Sequence, residues 1–336
     1  MSILFIRGIN DKRTAQLIPV SNGGVNFIYD GSCGVYWNMD FASKGAEELT
    51  LFGHNMEEQH IRFNSRITVV FNEISDPDSH HGALIHCENL CNQLQLPTIN
   101  HPSMILRNTR DNVSRLLQDI PGVKMPRTVR FTPRSPQDIF SEIDNTGLNF
   151  PVIVRIAGTH GGETSLLLAG RDELAKLHVY PFDGSVFYLT EFINYKSADG
   201  YYRKYRIAMV DGVPLLRHTL INPDWMVHAA SVEFMQDNRH LLDEAIALRK
   251  AFNTRMLPLI RPAVEEIANR LQLDYFGIDC NIDEQGNLTI FEANANMNIL
   301  LNDSPLVTDT IQEIKQHIIK LIGKKDADNQ AHAPAG

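Results

Sequence analysis

The spacing of hydrophobic positions changes along the chain, and each spacing defines an element. "ILFIRG" from Ile3 and "ITVVFNEI" from Ile67 are short, apolar, β-branched runs of the kind that form buried strands. "HHGALIHCENLCNQLQL" instead places Leu84, Cys87, Leu90, Cys91 and Leu94 on one stripe at helical spacing. "LPTIN" then resumes an extended segment. This strand–helix–strand rhythm predicts a small, mostly parallel α/β domain over residues 1–105. Ligands of such sheets bind beyond the carboxyl ends of the strands, which puts Asn72 and Glu73 at a candidate substrate edge or on a solvated loop end.

The pattern then shifts. Over residues 106–185 it predicts a helix at "NTRDNVSRLLQDI" with polar capping residues, and a strand at "FPVIVRI". A glycine-rich turn "AGTHGGETS", a strand "LLLAG" and a short helix "RDELAKL" follow. Over residues 186–323 come strands at "SVFYLTEFIN" and "YYRKYRIAMV", a turn at "DGVP", a helix through "LIRPAVEEIANRLQL", and a hairpin, "FGIDCNIDEQGNLTIFEANANMN". The tail, 324–336, is polar and small-residued and is predicted to be disordered.

The hairpin carries a problem. If its turn is the four-residue loop Glu284–Asn287, closed by Asp283 opposite Leu288, then Asp279 faces Glu292 across the ladder. Asn294, two residues on, shares their face, while Ile278, Cys280 and Ile282 point into a core. Opposed carboxylates repel unless something compensates, either a shared proton or a cation. Two carboxylates and an amide oxygen form a hard, all-oxygen set suited to magnesium or manganese. A solvated polar face is the simpler alternative.

Two further stretches concentrate charge. Arg155 ends a strand just before Gly158, Thr159, His160, Gly161 and Gly162, a loop whose backbone N–H groups could approach a phosphate, although it is not a Walker A motif. In "DGYYRKYRI", Lys204 and Arg206 share one strand face and Arg203 and Tyr205 the other, so anions are expected beside them. A plain hairpin turn and a charged edge strand would also account for these stretches. His218, Trp225 and His228 lie further on as candidate pocket residues.

Composition narrows the function. The chain of 336 residues is 43% hydrophobic with a net charge of −9, which speaks against a protein that coats nucleic acid. No apolar run reaches the ~20 residues of a membrane span, and "MSILFIRGIN" reads as a first strand rather than a signal peptide. Four scattered cysteines do not make a disulfide scaffold. A zinc site at Cys87 and Cys91 with His80, His81 or His86 lacks a second clean ligand pair, and buried thiols with surface histidines explain that stretch. These features favour a cytoplasmic protein.

Taken in order, "FPVIVRIAGTHGGE", "YLTEFIN" and "GIDCNI…IFEANAN" resemble the ATP-grasp superfamily, in particular the carboxylate–amine ligases of the glutathione synthetase and ribosomal-protein glutamate-ligase type. The resemblance covers roughly residues 106–300. It implies an ATP-grasp fold of α/β (α+β) class, in which two α+β subdomains clasp ATP behind the N-terminal α/β domain. It implies metal binding (Mg2+ or Mn2+) by Asp279, Glu292 and Asn294. Arg155, His160, Gly161 and Gly162 would cover the phosphates, and Phe192 and Ile193 would read the adenine edge beside Glu191. Asp199 is the substitute candidate for the ribose, since the usual acidic position falls near Lys204. The sequence also departs from the pattern: Arg155 stands where the family carries a lysine, and Asn112 where it carries a second.

The implied activity is ATP- and magnesium-dependent ligation of a carboxylate to an amine through an acylphosphate, giving ADP and phosphate. Arg206 would stabilise the transferring group, with Lys204, His218 and His228 on the acceptor side. Expected partners are small-molecule or peptide acids and amines, without nucleic acid or membrane; a homo-oligomer is compatible with the chain. The rival expectations are a kinase on the same scaffold and a non-catalytic nucleotide-binding protein.

Overall fold

A computed structural model describes residues 2–14, 16–19, 25–28, 30–53, 63, 66–160, 162, 164–295, 297–301 and 307–332. Gly161 falls outside the described residues.

The N-terminal part contains β1 (Ile3–Gly8), a hairpin of β2 (Gln16–Pro19) and β3 (Val25–Ile28), a short helix α1 (Val35–Asn38), β4 (Glu47–Leu51), β5 (Val69–Asn72), α2 (His81–Leu94) and β6 (Thr98–Ile99). The strands β4-β1-β5-β6 form one sheet, parallel throughout. All six residues of β1 are buried because the strand is covered on both sides: Leu4 and Ile6 enter one core and Ile3 and Phe5 another.

Helices α3 (Pro102–Arg107) and α4 (Arg110–Leu117) lead to β7 (Val123–Lys124) and to the second sheet. That sheet joins β8 (Thr128–Phe131), β9 (Val152–Ile156), β10 (Leu166–Leu168) and β11 (Phe187–Glu191) in the antiparallel order β10-β9-β11-β8, with α5 (Pro136–Thr146) packed on it. Pro136 at the first helical position and a Ser135–Asp138 capping box start α5, and Gly147 in the left-handed region ends it. "RDELAKL" forms 3-10 turns over Arg171–Val179.

The third sheet holds β12 (Tyr202–Val210), β13 (Val213–Asn222), β14 (Tyr275–Ile282) and β15 (Leu288–Asn294) in the order β13-β12-β14-β15-β7. Helices α6 (Ser231–Asp237), α7 (Arg239–Ala251), α8 (Leu257–Leu271) and α9 (Thr308–His332) complete the fold. The second sheet has its own core, built on Val152, Val154, Phe187 and Leu189. The first and third sheets share both of theirs: Leu4 and Val70 pack in one with Ile207 and Ile278, and Phe5 and Phe71 in the other with Ala208, Tyr275 and the α9 residues Ile311 and Ile314. The chain division expected near residue 105 is thus crossed by two continuous cores.

Two sequence expectations need correction. The tail from residue 324, expected to be disordered, continues α9 to His332. Its Lys, Ala and Gln residues allow a helix to propagate, and Lys324 and Lys325 anchor it on Asp211 and Asp274. The turn of the β14–β15 hairpin holds five residues rather than four, because Ile282 pairs with Leu288. A bulge at Phe291 adds one residue to β15, so Asp279 still pairs with Glu292. Among the described residues no helix is long and apolar enough to cross a membrane.

Candidate active site

One face of the third sheet changes character along its length. Ala208, Val210 and Tyr275 are buried in the core that α9 covers. Further along the same face the positions become Arg206 and Lys204 on β12 and Asp279 on β14. The registers then align four residues directly across four strands: His218 opposite Arg206, Arg206 opposite Asp279, and Asp279 opposite Glu292. Directly opposed residues share a face, so His218, Arg206, Asp279 and Glu292 form one transverse polar row. A bulge adjoins the row on each side: Arg217 is the extra residue of β13 and Phe291 that of β15. Bulges of this kind re-aim side chains beside functional sites.

The charges of the row are closely matched. Arg206 grips buried Asp279 at two points, Nε–Oδ1 2.7 Å and Nη2–Oδ2 2.8 Å, and Lys204 Nζ lies 3.2 Å from Oδ2. Burial alone would push the Asp279 carboxyl up, but the Arg206 and Lys204 charges hold it well below the usual carboxylate range. Glu292 pairs with Arg110 and accepts from Asn294 Nδ2 at 2.6 Å. Burial opposes its ionisation too, and Arg110 and Arg155 outweigh it. Arg155 has its own ordinary value lowered to about 10, first by burial and then by Arg110.

The glycine loop follows β9, where Arg155 faces Tyr188 of β11. Arg155 donates to the carbonyl of Thr159, whose hydroxyl bonds Ile156 O at 2.6 Å and Thr164 Oγ1 at 2.6 Å. His160 Nε2 lies 2.9 Å from Asp76 Oδ2 in the loop after β5. Next to it, Asp78 accepts from Tyr188 Oη at 2.7 Å and pairs with Arg130 at 3.0 Å. Gly158 and Gly162 both have positive φ; a Cβ on Gly158 would lie 3.2 Å from Ser79 and one on Gly162 3.0 Å from Met226. The loop is therefore seated between the 76–80 segment and the 224–228 segment.

Other predicted residues lie elsewhere or have tasks of their own. The Phe192 N–H donates to Pro151 O at 3.0 Å and its ring stands edge-on to Trp225 at 5.7 Å, so of the predicted adenine-reading pair only Ile193 keeps its N–H clear of that bond. Glu191 lies 3.6 Å from Arg127. Asp199 pairs with Arg203, which also holds Glu244 and projects from the face opposite Lys204 and Arg206. His228 is exposed and off the row; its Nδ1 accepts from Ala230 N at 3.4 Å. Asn72 is buried and bonded to Asn100 O and Ile74, and Glu73 is buried against Tyr36 N at 2.8 Å, so neither faces a substrate edge. His80 is buried, not on the surface.

Three contributors were not read from the sequence: Arg110, and the pair Asp76 and Asp78. Arg110 had a signal. It is the first residue of α4, where a cation opposes the helix dipole and so calls for an anion nearby. It supplies the charge that Asn112, a neutral amide that accepts from Arg115, cannot.

Among the described residues no group of three or more His, Cys, Asp or Glu side chains is arranged to hold a metal. The donors present are two carboxylates and the Asn294 amide, which fit magnesium as a partial set completed by ligand oxygens and water. Both carboxylates currently face protein cations, so an entering metal would exchange one positive partner for another.

A parallel α/β domain, followed by two antiparallel units that place a glycine loop beside a carboxylate–cation row, is the ATP-grasp fold. Solved structures share it across nearly the whole chain. The D-alanine–D-alanine ligase of Bacillus anthracis has TM-score 0.56 and 14% identity, over 99% of this chain and 100% of that one. The VanG D-Ala:D-Ser ligase of Enterococcus faecalis has TM-score 0.57 and 12% identity, over 96% and 99%. A RimK domain ATP-grasp protein of Sphaerobacter thermophilus has TM-score 0.53 and 12% identity, over 96% and 99%. Among curated proteins, N-acetylaspartylglutamate synthase A of Mus musculus is 26% identical over 273 residues, covering 79% of this chain. The chain spans 65% of that protein's length. No family model matches.

Proposed function

We propose that the chain is an ATP- and magnesium-dependent ligase that joins a carboxylate to an amine through an acylphosphate. The observation that carries this reading is the transverse row: paired carboxylates for a cation at one end, Arg206 in the middle, and neutral His218 at the other. Supporting it are the ligase names of the fold neighbours and the synthase name of the mouse relative.

The substrate carboxylate attacks the γ-phosphorus of ATP, the bond to the bridging oxygen breaks, and ADP leaves. The amine nitrogen then bonds the acyl carbon, the carbon–oxygen bond to phosphate breaks, and the amine proton departs with phosphate. Arg155 and Arg110 hold phosphate oxygens, and the 158–162 loop, tethered through His160, covers them and excludes water. Ile193 reads the adenine edge. Asp279, Glu292 and Asn294 hold magnesium, which when bound neutralises charge on the β- and γ-phosphates. Arg206 faces the oxygens of the transferring group, and Lys204 the acceptor side. The enzyme is read as cytoplasmic, with small-molecule or peptide acids and amines as substrates.

Mass spectrometry of products formed from ATP, magnesium and a panel of acids and amines tests the reading. A condensed product with equimolar ADP and phosphate is expected. A phosphorylated product without condensation would make the protein a kinase, and nucleotide binding without ADP formation would make it a non-catalytic module.

A further inference from the structure

The extra residue in β13 has a chemical consequence. Along a regular strand Arg217 and His218 would point to opposite faces. At the bulge, Arg206 pairs with His218 and Ile207 with Leu216, so Arg217 is the extra residue of β13, outside the strand register. Its side chain is buried; Nε donates to Ile299 O at 2.8 Å and Nη2 to Leu301 O at 2.6 Å. The remaining nitrogen, Nη1, meets His218 Nδ1.

A guanidinium only donates hydrogen bonds. Nδ1 of His218 must therefore accept, and the ring proton of the neutral imidazole is on Nε2. That Nε2 atom is buried and has no hydrogen-bond partner among the described residues. Burial, followed by the charges of Arg217, Arg206 and Lys204, pushes the imidazole well below its ordinary value, which keeps it neutral. A buried N–H without a partner costs about 1–3 kcal/mol, so it marks a position where an acceptor arrives with a ligand. His218 stands opposite Arg206, at the end of the row away from Glu292 and Arg110.

We propose that His218, fixed by Arg217 as the Nε2–H tautomer, is a catalytic hydrogen-bond donor to the acyl oxygen that becomes negative when the amine attacks. This rests on the ligase reading above and assigns the acceptor-side histidine a donor role instead of that of a base. A base would need a lone pair facing the amine, and the only lone pair of the ring is turned toward Arg217. In the tetrahedral intermediate the new charge would sit between the Arg206 guanidinium and the His218 N–H, a two-donor arrangement of the oxyanion-hole type. Arg217 acts as a positioning residue: the same side chain that sets the tautomer also ties down Ile299 and Leu301, the segment following the Asn294 strand.

The test is nitrogen NMR of the full chain with 15N-labelled histidine, at pH 7.5, alone and with magnesium, ADP and acetyl phosphate as a simple acylphosphate. His218 is expected to show the neutral Nε2–H pattern alone, and its Nε2 resonance is expected to move when acetyl phosphate is added to the ADP complex. A neutral Nδ1–H pattern or an imidazolium would overturn the inference. So would an unmoved Nε2 resonance at acetyl phosphate concentrations up to 50 mM, roughly the weak-binding limit of such affinity measurements, with ADP bound. Absence of any magnesium–ADP binding would instead overturn the ligase reading, and the donor role with it. By calorimetry, His218→Gln, which keeps an N–H at the Nε2 position, is expected to retain acetyl phosphate affinity within about threefold. His218→Leu is expected to lose about tenfold, the worth of one neutral hydrogen bond. Equal losses in both variants would reduce His218 to a packing role.

Discussion

Arg206 and Asp279 face each other in the β12–β14 register and close a two-point ion pair at 2.7 and 2.8 Å. Asp279 is buried and would be costly to ionise alone; the fork and Lys204 make its charge tolerable. The pair thus keeps a carboxylate charged and ready for a cation without the cation being there. Removing Arg206 leaves buried charge that Lys204 alone offsets. Arg206→Met is expected to lose about 3–5 kcal/mol of unfolding free energy without metal. Magnesium should then raise the melting temperature of the variant more than that of the parent protein. An equal response to magnesium in calorimetric melts would show that Asp279 is not a metal ligand.

Gly277 pairs with Asn294, and a Cβ there would collide with the Met297 side chain. The close approach seats the segment after Asn294 against the sheet. Gly277→Ala is expected to destabilise by about 1–3 kcal/mol through overpacking and to weaken magnesium-dependent nucleotide binding. Adding Met297→Ala should restore much of both. Calorimetry of the single and double variants with a non-hydrolysable ATP analogue decides it; no recovery would separate the glycine from the site.

The register of this hairpin shows how far the sequence could be read. Alternation placed Asp279 opposite Glu292, and they do pair. The turn that justified it was one residue too short, and the Phe291 bulge, which has no signature in the alternation, cancelled the error. Strand periodicity made the faces legible, whereas bulges depend on how the whole sheet closes. The bulge at Arg217 and the tautomer it sets were invisible for the same reason. Arg110 was legible in principle, as a cation on the wrong end of a helix. The Asp76–His160 bond was not, because it joins residues 84 apart through packing between sheets.

That bond gives a prediction for the glycine loop. Burial would raise Asp76, but hydrogen bonding to His160, its charge and Ser79 hold the carboxyl well below its ordinary range. A lowered folded value means that the stabilisation is present above the unfolded value and is lost as pH falls through the folded one. Near neutral pH the tether should therefore be intact. Asp76→Asn is expected to speed hydrogen exchange of the 158–165 amides about fivefold at pH 7, since His160 is partly exposed and its bond correspondingly discounted. Unchanged exchange would mean that the loop is held by Thr159 and Thr164 alone.

Glu73 offers a pH signature outside the site. Burial, opposed by the Tyr36 N–H and the Arg7 charge, raises it from 4.5 to about 7. The folded state then binds a proton that the unfolded chain has released, so stability falls as pH rises between those values and is level above them. The drop is on the order of 3 kcal/mol. Glu73→Gln keeps an acceptor for Tyr36 and leaves Arg7 paired with Glu48. Urea unfolding should show the variant equal to the parent near pH 4 and more stable at pH 8; a parallel offset at both would refute the assignment.

Arg110 and Arg155 crowd one carboxylate, Glu292, and their mutual repulsion helps lower Arg155 to about 10. Two cations around one anion leave an excess of positive charge that a polyphosphate would neutralise. Arg110 is also the residue the sequence pattern did not supply, since the expected cation position holds Asn112. Arg110→Met should relieve the crowding yet remove a phosphate contact, and the second effect is expected to win. The affinity for the magnesium complex of a non-hydrolysable ATP analogue should fall about tenfold or more, the worth of a charge-assisted hydrogen bond. Its dependence on salt should flatten, because one fewer screened charge takes part. If calorimetry instead shows affinity unchanged while stability drops, Arg110 serves only to neutralise Glu292, and the phosphates are held by Arg155 and the glycine loop.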